Sequence, residues 1–190
     1  MNIKLDDNLF RKYNELYALI LQCYKDLSIL DGFKMIQTEK TEIYRAVINI
    51  SNHFIVLLQK DVALTLWKLL YDNNQNAFTI PRFRNEINAL LRSNGDAHLQ
   101  IKKEDIGKGI KENLILMRQQ FLAHADMTRK NNRIQMSDLK NMLEISKEQF
   151  NKICDVVDDD RIKGVSETAI KSQDNICRIE LLGLYSREEQ

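Results

Sequence analysis

Proline is almost missing from this chain: Pro81 is the only one in 190 residues, and there are just 6 glycines. Tight turns between strands draw heavily on those two residue types. Their scarcity argues against a strand-rich fold. The three cysteines, Cys23, Cys154 and Cys177, are far apart and odd in number, which fits neither a disulfide framework nor a zinc-ligand spacing. They read as free, buried thiols in a reducing compartment. No apolar run approaches the ~20 residues needed to cross a bilayer, and the segment Met1 to Asp7 lacks the apolar core of a signal peptide. The formal net charge is only +1, so no global excess draws the chain to nucleic acid or membrane, and any basic surface must be local. The expected location is the cytoplasm.

What remains is helical pattern. Apolar residues make up 44% and charged residues 29% of the chain, the balance of one soluble domain with a real core. Phe10, Tyr13, Leu16, Tyr17, Ile20 and Tyr24 recur at three- and four-residue steps. They predict a helix that begins at Asp6 or Asp7 and ends at Asp31-Gly32. The aromatic stripe is expected to pack in the core or at an interface. From Phe33 to Asp72 the pattern is helical almost throughout, with a break expected near Thr38–Thr41 or Gln59–Asp61. Trp67 is expected to be an anchor there, and His53 a surface residue. Thr79-Ile80-Pro81 predicts a capped helix with proline in its first turn, carrying Phe83, Ile87, Leu90 and Leu91 inward and closing at Ser93 to Asp96. The residues from Lys103 to Ala123 give the cleanest stripe, Ile106, Ile110, Leu114, Met117 and Phe121. Ser137-Asp138-Leu139 opens a short helix, and Ser146 with Gln149 forms a capping box before another. The fold predicted is all-α: a domain of about six helices over residues 1–157, then an extension over 158–190, helical or partly ordered.

The common catalytic signatures are missing. There is no glycine-rich phosphate loop, no His-Glu-x-x-His, no paired cysteine and no nucleophile elbow. Asp155 and Asp158 to Asp160 read as a solvated acidic loop. Asp96 and His98 have no third ligand partner. Neither a metal nor a cofactor is expected.

One stretch concentrates polar chemistry at the end of a regular helix: Arg118-Gln119-Gln120-Phe121-Leu122-Ala123-His124-Ala125-Asp126. Its Arg-polar-spacer-His order resembles the motif of the HEPN superfamily of helical nucleases, and Ala-His-Ala-Asp resembles the ending found in the abortive-infection, phage-defence subgroup. Upstream, the segment from Val62 to Asp72 is similar to that subgroup's hydrophobic helix ending in aspartate, and Thr79 to Leu91 to the short helix after it. The resemblance covers roughly residues 35 to 145. It implies a HEPN-like bundle and a metal-independent endoribonuclease, toxin-like and working as a homodimer, with an antitoxin or defence-system partner. On that implication Arg118 and His124 are catalytic, and Gln119 and Asp126 orient the substrate or the histidine. Arg129, Lys130 and Arg133 attract phosphate. In some relatives a tyrosine that a partner enzyme modifies stands two residues after the histidine; here the position is Asp126.

The residue types suit that chemistry on physical grounds. A histidine near its ordinary pKa of ~6.5 can take and return a proton at neutral pH. A guanidinium holds a phosphate through two hydrogen bonds as charge builds. Six residues turn a helix by about 600° and advance it by about 9 Å, leaving Arg118 and His124 roughly 120° apart. They converge only if the helix unwinds or if a second protomer completes the site. The competing reading is a helical module without catalysis, antitoxin-like, scaffolding or nucleotide-binding, in which Arg118 pairs with Glu112 or Asp126 and His124 caps a helix end.

Overall fold

A carboxylate starts the first helix. Asp6 accepts a hydrogen bond from the Leu9 amide at 2.7 Å, which satisfies one of the free donors of the opening turn. In the computed structural model, which describes residues 3–39, 48–72, 74, 77–102, 112, 114–115 and 135–175, helix α1 runs from Asp7 to Glu39. The end expected at Asp31-Gly32 does not occur. Glycine inside a helix costs only about 1 kcal/mol relative to alanine. Leu27 and Leu30 are buried just before it, and Asp31 is tied to Lys140 at 2.6 Å. Packing outweighs the local breaker.

Three further helices complete the described bundle: α2 from Ile48 to Tyr71, α3 from Ile80 to Ser93 and α4 from Met136 to Cys154. A 3-10 turn spans Ala97–Leu99, and residues 167–175 are helical. No strand occurs among the described residues, so the all-α class is as expected. α2 is continuous through Gln59–Asp61, which removes one of the two expected breaks. The other, near Thr38–Thr41, runs into residues outside the described part: α1 is helical through Glu39. Thr79 caps α3 by accepting from the Arg82 amide at 3.3 Å, with Pro81 in the first turn. Gly95 closes that helix at φ +83°, a conformation that favours glycine, and the Asp96 amide donates to Leu91 O at 2.8 Å.

α4 corrects the reading of two short helices around Ser146. Ser146 is wholly buried, and its hydroxyl donates to the carbonyl of Met142 at 2.8 Å. A serine bonded four residues back is satisfied inside a helix, so it does not cap a new one. The start of α4 is closed instead by Asp138, whose carboxylate accepts from the Gln135 amide at 3.3 Å.

α1 packs most extensively on α2, and α4 touches α1, α2 and α3. Phe150 stands at the centre, stacked with Tyr13 at 5.6 Å and Phe83 at 6.4 Å. The aromatic stripe of α1 is therefore core, as expected. Trp67 is partly buried against this core, its ring 5.5 Å from that of Tyr71. Cys23 and Cys154 are free and buried; Cys177 lies outside the described residues.

The loop after α4 ties the chain's first residues down. Asp159 accepts from the Leu5 amide at 3.2 Å, and Arg161 donates to Asp159 at 2.7 Å and to Leu5 O at 2.8 Å. Of the acidic run, Asp158 and Asp160 are exposed as a solvated loop would have them, but Asp159 is buried. Tyr13 Oη donates to Lys163 O at 2.9 Å and accepts from its amide at 3.0 Å. Val165 joins the same core.

Candidate functional site

The segment that enters the Arg-x5-His stretch is helical at Glu112, Leu114 and Ile115. Leu114 is 1% exposed and belongs to the core cluster, whereas Glu112 is exposed. One face in and one face out is the arrangement the apolar stripe of that helix predicts. Arg118, Gln119, His124, Asp126, Arg129, Lys130 and Arg133 themselves lie outside the described residues. None of the expected site residues is brought together within the described part.

A polar cleft is described between the N-terminal turns of α1 and the start of α3. It has a volume of about 330 Å³, and its lining includes Arg11, Lys12, Phe78, Thr79, Arg82 and Glu86. The Arg11 guanidinium lies 5.4 Å from the centre of the Phe78 ring and the Lys12 ammonium 5.8 Å from it. Both distances suit cation–π attraction. Lys12 Nζ also donates to both carboxylate oxygens of Glu86, at 2.7 and 2.8 Å. Arg82 donates to the carbonyls of Asn74 and Ala77, which fastens the chain between α2 and α3 against the cleft wall. Leu16 and Phe83 are buried lining residues from the core side.

Sequence reasoning did not find this cleft. The α3 cap located Arg82 in a first turn, but Lys12 and Glu86 are 74 residues apart. No local pattern links them.

Other titratable groups belong to the helix seams. Asp26 is 4% exposed; burial pushes its carboxyl up to about 6, with the Asp61 carboxyl adding to the rise and a hydrogen bond from Gln22 opposing it. Burial also raises the Cys23 thiol far above its usual range and Cys154 to about 12. Neither is a thiolate nucleophile at neutral pH. Tyr24 is likewise raised by burial and by its 2.5 Å hydrogen bond to Glu144. His53 and His98 are exposed, and no cluster of three metal-ligating side chains occurs among the described residues. No described helix is long and apolar enough to cross a membrane.

No family model, no curated protein and no solved structure matches this chain.

Proposed function

We propose that the chain is a metal-independent endoribonuclease of the defence or toxin type, with a HEPN-like bundle and a site built on Arg118 and His124. The observation that carries this reading is the anchored approach to the motif. Leu114, four residues before Arg118 in the sequence, is buried in the core, so the chain is anchored at that residue. The all-helical architecture of the described residues and the lack of the common catalytic signatures in the sequence support it further.

The chemistry closes without an added reactant. His124 accepts the proton of the ribose 2′-hydroxyl, and the 2′-oxygen attacks the adjacent phosphorus. Arg118 binds the phosphoryl oxygens as negative charge builds on them. The 5′-oxygen leaves and takes up the proton that the charged His124 returns, giving a 2′,3′-cyclic phosphate and a 5′-hydroxyl end. Because Arg118 and His124 diverge by roughly 120° on a straight helix, the reading invokes a homodimer whose two motifs share one cleft. Gln119 and Asp126 orient substrate and histidine, and Arg129, Lys130 and Arg133 attract the RNA backbone. The reading puts the protein in the cytoplasm, where Cys23 and Cys154 stay reduced, and calls for an antitoxin or defence-system partner.

Purified protein incubated with RNA in EDTA tests it. Cleavage should persist with the chelator and disappear in both Arg118→Ala and His124→Ala. Intact RNA with folded wild-type protein, or unchanged cleavage in the two variants, would replace this reading with a binding module that lacks catalysis. A monomeric mass at micromolar concentration would remove the dimer cleft.

A further inference from the structure

None of the residues lining the cleft between α1 and α3 is used in the reaction just described. Its lining carries three cationic side chains, Arg11, Lys12 and Arg82, and one carboxylate, Glu86, a local balance of +2 (three minus one) in a chain whose formal net charge is only +1. We propose that this cleft binds a phosphomonoester, carried either by a small sugar-phosphate-like molecule or by the 5′ end of an RNA.

Charge and size select that class. A phosphomonoester carries close to two negative charges at neutral pH, which balances the lining. The volume of about 330 Å³ sits at the lower end of the range for small-ligand pockets. It leaves room for an organic portion beyond the phosphate.

The cations are held in place before any ligand arrives. Lys12 is braced by Glu86, with only 17% of its side chain exposed. Arg82 is fixed by two loop carbonyls. Arg11 is exposed and lies over Phe78, with a long hydrogen bond of 3.3 Å to Asn8 that engages one of its five donors. The N-terminal turn of α3 forms part of the wall through Thr79 and Arg82, and the positive end of its dipole adds to the attraction. Glu86, whose side chain is 40% exposed, disfavours a second anionic group on the organic portion.

Titration calorimetry at low salt tests the assignment with ribose 5-phosphate, ribose, inorganic phosphate, and a 2′-O-methyl RNA oligomer bearing either a 5′-phosphate or a 5′-hydroxyl. The 2′-O-methyl groups block cleavage, so the result is independent of the nuclease reading. Binding of ribose 5-phosphate or of the 5′-phosphorylated oligomer, with none of ribose or the 5′-hydroxyl oligomer, supports the proposal. Which of the two binds tighter identifies the source. Arg11→Gln should weaken binding about tenfold without shifting the melting temperature, since Arg11 is exposed. Glu86→Gln should tighten it about threefold by removing a like charge, whereas a purely structural Lys12–Glu86 bridge predicts no gain. Absence of binding at millimolar ligand, equal binding of inorganic phosphate and ribose 5-phosphate, or unchanged affinity in Arg11→Gln would overturn it.

Discussion

The two halves of α2 are built from the same kinds of side chain and end in opposite surroundings. In the first half Ile50, Phe54 and Leu57 are 62%, 51% and 45% exposed. In the second, Val62, Leu66 and Leu69 are wholly buried and Leu70 nearly so. At about 100° per residue, Ile50, Phe54 and Leu57 lie roughly 140° around the helix from Val62, Leu66, Leu69 and Leu70. The buried side is continued in the first half by Ser51, Ile55 and Leu58. What differs is the side of the helix: α1, α3 and α4 all pack on α2, and Ile50, Phe54 and Leu57 share the outer side with the exposed Asp61 and Lys68. Periodicity says which residues share a face. It does not say which of two apolar faces the rest of the chain covers.

The largest expected effect comes from hollowing the covered face. Leu66→Ala should cost about 2–5 kcal/mol, read as a lowered urea midpoint. A loss under 1 kcal/mol would mean that the two faces differ far less in packing than their burial indicates. Overfilling the same face is the converse test. Ala63 is 3% exposed, and Ala63→Leu should destabilise by about 1–3 kcal/mol. A neutral result would reveal slack at the α2 seam.

Between the halves sits Asp61, whose carboxyl helps to raise Asp26 of α1 to about 6. The folded value lies above the ordinary carboxylate value of about 4, so the folded state binds the extra proton. Stability from this group is therefore present below about pH 4 and is lost as pH rises through about 6. Asp26→Asn should be near neutral at pH 4 and stabilising by about 1–2 kcal/mol at pH 7. Unfolding midpoints at the two pH values check the sign. An Asp26→Asn protein that is weaker at pH 7 would show that the charged form is the one the seam requires.

The smallest effect belongs to the uncovered face. Ile50→Ser and Phe54→Ser should each change stability by no more than about 0.5 kcal/mol in the isolated protomer. A large loss, measured in the same urea series at low protein concentration, would place these residues in a core and erase the contrast.

How legible these features were depended on how local their causes are. The α3 cap at Thr79, the proline in the first turn and the closure at Gly95 all follow from neighbours within four residues, and each was readable in advance. The aromatic stripe of α1 was readable as core for the same reason. Gly32 and Ser146 misled because each carries a local breaking or capping preference that distant packing overrides. Gly32 sits in a helix held by Leu27, Leu30 and the Asp31–Lys140 pair, and Ser146 found its partner one turn back. Arg118 and His124 stood out because a polar pair at the end of a regular stripe is a local pattern. The cleft of Arg11, Lys12, Arg82 and Glu86 could not stand out, because its two walls are over 70 residues apart in the chain.

By itself, then, the sequence determined the helical class, the caps and the apolar faces, since those depend on dihedral preference and on a 3.6-residue period. Only the tertiary structure decided that α1 runs on through Gly32 and that α4 is one helix. It also decided that α2 leaves Ile50, Phe54 and Leu57 exposed, and that Lys12 meets Glu86 at 2.7 Å. The physical reason is the same in each case. These outcomes depend on which distant surfaces meet, and the free energy of their burial exceeds the preference of any single residue.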